Sequence, residues 1–204
     1  MRAASELLSM IKPGDAFGTA SRGCGSAGIR FCAGGPLSHI FIAVPHRDDP
    51  NRVVEYESTN IIRQRCLYQK RRVSGVQVHP IAWRIRHELE RGGKVFWYPL
   101  VNPLTGEESA KLFAMSERLL GVPYDYWGAW LARRWGFRWA TRLLYRSMID
   151  RKRLYCSEAG EVLFDACDRL AGDCQGALAP SPLMKRQVAG GEHGKPFEMT
   201  LAML

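Results

Sequence analysis

The sequence predicts an α+β fold: an antiparallel sheet of about five strands, with a late helix packed against it. Two observations carry that expectation. Leu37 to Val44 (LSHIFIAV) is dense in β-branched and aromatic residues, and a polar turn separates it from a matching run, Arg52 to Ser58 (RVVEYES). Far downstream, Arg153 to Leu163 (RLYCSEAGEVL) opens a helical repeat of Ala159, Val162, Leu163, Ala166 and Leu170.

Taken in order, Lys12 to Asp15 is a turn and Ala16 to Ala20 a short strand. Ser21 to Gly35 holds five glycines and reads as a loop, with one helical turn around Ile29 to Cys32 as the alternative. The strand Leu37–Val44 is closed by Pro45, and the loop that follows turns the chain back into Arg52–Ser58 as an antiparallel hairpin. Val73 to Ile81 and Lys94 to Leu100 supply two more strands, joined by a short polar helix or extended turn over Ala82 to Arg91. Asn102-Pro103 stops the sheet. Thr105-Gly-Glu-Glu108 is a capping box, and the helix behind it runs to about Leu120, with Leu112, Met115 and Leu119 on one face. Gly121 and Pro123 end it.

Asp125 to Asp150 interleaves four tryptophans (127, 130, 135, 139) with Arg133, Arg134, Arg138, Arg142 and Arg146. We expect a helical insert here, packing its tryptophans inward. A membrane-surface element, a base-stacking platform and a lid are the alternatives. After the Cys156 helix, Gly172 onward reads as loop, and Phe197 to Leu204 as a last strand or a docked tail.

Composition bounds what such a chain can be. At 204 residues it is long enough for one core and short for two, so a single domain over 1–204 is expected. Hydrophobic residues at 46% and charged residues at 24% exclude a disordered chain, and no apolar run approaches the ~18 residues of a membrane span. Met1 to Met10 lacks the pattern of a secretory signal, which makes the cytoplasm the expected location. Six cysteines (24, 32, 66, 156, 167, 174) show no CxxC spacing, and there is no HExxH, so neither disulfides, metal nor cofactor are expected. The formal charge of +9 points to an anionic surface among the partners, with nucleic acid the lesser expectation.

The chemistry-bearing residues are few. Cys156 opens a helix, where unpaired N–H groups and the positive end of the dipole favour the thiolate; the alternative is a small buried core residue. A thiolate site also needs an imidazole and a polar group to orient it. Of five histidines, His46, His87 and His193 sit in stretches typical of solvated residues, and His79 is open. His39 stands out, at the start of the most apolar strand. In RVVEYES, alternation puts Glu55 and Glu57 on one face, and two carboxylates on a strand suited to burial call for a partner across the hairpin. The order is then His39, a glutamate (Glu55 or Glu57), Cys156.

These stretches together resemble the circularly permuted papain-like cysteine hydrolases, the NlpC-type superfamily branch with the YiiX-like amidases and the lecithin:retinol acyltransferase group. KPGDAFGTA resembles the entry strand, GGPLSHIFIAV the histidine strand, VVEYESTNII the next strand, GVPYDYWG the tyrosine segment and LYCSEAGEVL the cysteine helix. The resemblance implies a permuted papain-like fold and a thioester route, with Cys156 as nucleophile, His39 as base and Glu57, which precedes a small residue as the family pattern prefers, as orienting carboxylate, Glu55 in reserve. The Cys156 N–H would be an oxyanion donor, with Tyr124 and Tyr155 either lining the groove or part of the core. It implies a peptidase or amidase acting on peptidoglycan-type peptides or isopeptides. A lipid-directed acyltransferase or thioesterase, and an inactive binding module, are the alternatives.

Overall fold

Six antiparallel strands form one sheet in the order β4-β3-β2-β1-β5-β6. In this computed structural model the described residues are 7–60, 64–126, 153–172 and 178–204. The strands are β1 (Ala16–Ala20), β2 (His39–His46), β3 (Asp49–Thr59), β4 (Gly75–Pro80), β5 (Lys94–Tyr98) and β6 (Phe197–Met199). The sheet has one strand more than the five expected. The tail pairs as a three-residue strand along β5, with Phe96 opposite Glu198. Pro45 does not close β2. The strand runs on to His46 through an irregularity at Pro45/His46, the kind of site where a residue lacking an N–H is tolerated.

Alternation along the strands builds two different faces. Ile40, Ile42, Val44, Val54, Tyr56, Val76 and Val78 point into the larger core, against α3 (Gly106–Leu119), α4 (Cys156–Ala166) and α5 (Pro180–Ala189). Phe17, Phe41, Ala43, Val95 and Trp97 point the other way, towards Ile81 and Ile85 of α2 (Ile81–Glu90). Phe17 stacks on Phe41 at 4.9 Å between ring centroids. On that second face, β3 and β4 carry Glu55, Glu57, Gln77 and His79, all buried.

Two helices replace expected loops. Cys24–Ala33 is a ten-residue helix, α1, ending at Gly34 in the left-handed region (φ 61°, ψ 39°); the Gly34 N–H donates to the Phe31 carbonyl and the Gly35 N–H to the Arg30 carbonyl. Its glycines hide the helical pattern in the sequence. Pro180–Ala189 is α5: both prolines fall in the first turn, where no backbone N–H is needed, so the Pro-Ser-Pro that reads as loop is a helix start. The Thr105–Glu108 capping box forms at the head of α3, as its spacing predicts. From residue 127 onward the Trp/Arg-rich insert lies outside the described residues. Among those described, no helix is long and apolar enough to cross a membrane.

Candidate active site

Cys156 is the first residue of α4, and its N-cap, Tyr155, is extended and makes no side-chain cap. The approach is held from both sides. Leu154 bridges Tyr124, and the Ser58 hydroxyl donates to the Leu154 carbonyl at 2.5 Å. The residue beside Glu57 therefore pins the residue two before Cys156. Cys156 through Phe164 are all buried, and Gly160 faces Ile40 of the sheet. A Cβ there would come within 2.9 Å of Ile40 Cδ1.

His39 begins β2. Ala43 lies opposite Glu55 and Ile42 opposite Tyr56, a register that puts Glu57 opposite Phe41 and diagonal to His39 on the same face. His39 Nε2 and Glu57 Oε2 are 2.6 Å apart, with the glutamate side chain fully buried and the imidazole 15% exposed. With Nε2 committed to Glu57, Nδ1 is the ring nitrogen left for the sulfur.

Electrostatics follow from this placement. Burial works against charge on His39, but the Cys156 and Glu57 charges and hydrogen bonds outweigh it and push the imidazole up to about 10. Burial likewise opposes the Cys156 thiolate. The His39 charge and hydrogen bond, with backbone hydrogen bonds at Ile40 and Ser157, overcome it and hold the thiol below its ordinary value. The pair therefore favours thiolate and imidazolium. Cys167, in the same helix region, goes the other way: burial pushes its thiol up to about 12.

Behind His39 lies a second layer that the sequence reading missed. Arg84 Nε donates to Glu57 Oε2 at 3.1 Å, and Arg84 Nη1 donates to Glu88 Oε2 at 3.2 Å. Burial pushes the Glu57 carboxyl up, but Arg84 first and then His39 hold it well below the usual range. Glu55, the reserve candidate, is paired elsewhere, with Oε1 2.5 Å from His79 Nδ1 and both side chains fully buried. Burial and the Glu57 charge push it up to about 7. RHELER reads as a solvent face, yet Ile81, Arg84, Ile85 and Glu88 share one stripe at helical spacing, and all four are buried. Two charges inside an apolar stripe were the available signal.

The other expected residues fall as follows. His193, expected in solvent, is 1% exposed, with Nε2 3.2 Å from the Gly14 carbonyl. His87 stacks on Trp83 at 4.9 Å. His46 accepts from the Asp48 N–H. Tyr155 is buried in the core, and Tyr124 packs edge-on against Tyr126 at 5.0 Å.

Glu55, Glu57 and His79 each bring one ligand atom to within 4.8 Å of the others. Hydrogen bonds tie up part of this set: Glu57 Oε2 receives Arg84 and His39, and His79 Nδ1 is spent on Glu55, while Glu55 Oε2, Glu57 Oε1 and His79 Nε2 are buried with no hydrogen-bond partner among the described residues. A metal would also stand against the Arg84 guanidinium.

No family model and no curated protein matches the chain. Among solved structures it is similar to one described as the metalloprotein YiiX from Escherichia coli O157:H7. The TM-score is 0.53 and the identity 19%, over 91% of this chain and 87% of that one. At that identity the likeness is one of fold: the chain has a YiiX-like α+β architecture.

Proposed function

We propose that this chain is a cysteine-dependent hydrolase of amide bonds, a single permuted papain-like domain whose site is Cys156, His39 and Glu57. One observation supports it most: a single imidazole is hydrogen-bonded at one nitrogen to a buried carboxylate, and its charge holds the thiol of a helix-opening cysteine below its ordinary value. Core cysteines have no use for such a partner.

In this reading the Cys156 sulfur attacks the amide carbonyl carbon. The carbonyl oxygen gains the charge, and the Cys156 N–H at the helix start is placed to donate to it. As the C–N bond breaks, His39 gives its Nδ1 proton to the departing amine and leaves a thioester on Cys156. Neutral His39 then takes a proton from water, which attacks the thioester carbon. The acid is released and thiolate and imidazolium return. Glu57 holds the ring through Nε2 and does not itself take the proton.

The substrate class we assign is a peptidoglycan-type peptide or an isopeptide. The test is alkylation by iodoacetamide from pH 4 to 9, resolved by residue with mass spectrometry, followed by a panel of amide, isopeptide and ester substrates. Cys156 is expected to react at pH 6 at least about tenfold faster than exposed Cys24. Turnover of an amide or isopeptide is expected to vanish in Cys156→Ser. A Cys156 no faster than Cys24 would overturn the reading. Turnover of esters alone would move the substrate to acyl chains.

A further inference from the structure

The buried charges on the α2 face have a layout that the proposed reaction does not require. Glu57 Oε2 serves as the acceptor for two donors at once, His39 Nε2 at 2.6 Å and Arg84 Nε at 3.1 Å. Arg84 is itself fixed. Its Nη1 bonds to Glu88 one helical turn on, its guanidinium carbon lies 5.3 Å from the Phe41 ring centroid, and its side chain is 5% exposed. We propose that Arg84 is a positioning residue for the Cys156–His39 pair, acting through Glu57. It holds Glu57 as a charged acceptor, so that the shared proton stays on His39.

The reason is the company Glu57 keeps. Glu55 stands two residues along the same strand and faces the same way, so its charge opposes that of Glu57, and both carboxylates are out of water. Two buried carboxylates on one strand face tend to hold a proton between them. The charged groups meeting there are Glu55 and Glu57 from β3, His79 from β4, His39 from β2 and Arg84 and Glu88 from α2, with Cys156 beyond His39. Glu55 has His79 as its own partner. That leaves Arg84 as the cation which does not titrate at Glu57. Remove it, and Glu57 becomes a weaker counter-charge for the imidazolium. The proton is held less firmly on His39, and the sulfur loses part of the support that makes it a thiolate. Arg84 touches neither sulfur nor substrate, so its effect passes through the state of His39.

This inference rests on the proposed thiolate site, and the experiment separates the two. The alkylation midpoint of Cys156 is measured against pH in the wild type, Arg84→Gln and Arg84→Lys, with Cys24 as internal reference and near-UV circular dichroism as the fold check. A wild-type Cys156 with an ordinary thiol midpoint would sink the site itself. Given an activated wild type, Arg84→Gln is expected to raise the Cys156 midpoint by about one unit and leave Cys24 unmoved. Arg84→Lys, which keeps the charge without the Nε fork, is expected to raise it by less. A purely structural Arg84 would instead slow alkylation at every pH with no shift in midpoint, and that result overturns the proposal. If Arg84→Gln does not fold, the midpoint of His39 is read from its ring carbon resonance in Arg84→Lys and the wild type. A lower midpoint in Arg84→Lys supports the proposal, and identical midpoints overturn it.

Discussion

At the scale of single residues, two glutamates on one strand face have been given different work by their neighbours. Glu57 meets His39 and Arg84, and Glu55 meets His79. Glu57→Gln is therefore expected to slow Cys156 alkylation at pH 6 by about tenfold or more, since the imidazolium loses its counter-charge. Glu55→Gln is expected to leave that rate close to wild type. It lowers the melting temperature instead, because half of a buried pair is removed, a loss of about 3–5 kcal/mol. Residue-level alkylation and a thermal melt on the same two variants check both outcomes. A Glu55→Gln variant that slowed alkylation as much as Glu57→Gln would reverse the assignment. The distinction was half legible in the sequence. Alternation puts both carboxylates on one face, but choosing between them needs the register and the side chain of Arg84, which a single strand read alone does not contain.

Among the elements, α4 sets how the sulfur meets the sheet. It packs through Gly160, where any side chain would reach Ile40 Cδ1. Gly160→Val is expected to push the helix off β2, destabilise the protein by about 1–3 kcal/mol and slow Cys156 alkylation at pH 6, because the sulfur moves away from His39. Chemical denaturation and alkylation test it together. A stable variant with unchanged alkylation would show that the helix does not depend on that contact. Which elements could be read from the sequence follows from where their signals lie. β1 to β5 were legible because their alternation and β-branched runs are local. α1 and α5 were not, because glycine and proline are helix breakers in the middle of a helix and harmless in a first turn or on an exposed face. α2 was left open between helix and turn because two of its buried stripe positions are charged. Those positions make sense only opposite Glu57.

For the whole molecule, the last segment is tied to the first turn by a histidine that must stay neutral. His193 Nε2 donates to the Gly14 carbonyl, and burial holds its pKa down at about 4. The unfolded chain, with histidine near 6.5, binds a proton that the folded chain refuses. Stability from this residue is therefore complete above pH 6.5 and is lost as pH falls towards 4, on the order of 3 kcal/mol in all. His193→Gln keeps a donor and does not titrate. Its melting temperature is expected to fall less steeply than that of the wild type between pH 6.5 and 4. Parallel curves would remove His193 from the acid limb.

The chain order of the proposed site has a consequence for biosynthesis. His39 and Glu57 leave the ribosome about a hundred residues before Cys156, an interval on the order of ten seconds at ordinary elongation rates. The strands β1 to β5 and Arg84 of α2 can all assemble in that time, while no sulfur stands beside the imidazole. When Cys156 emerges it is an ordinary thiol, and it stays one until α4 docks against β2. In the proposed site the nascent chain thus carries its polar machinery early and its sulfur late, and the thiol is activated only once the fold is complete.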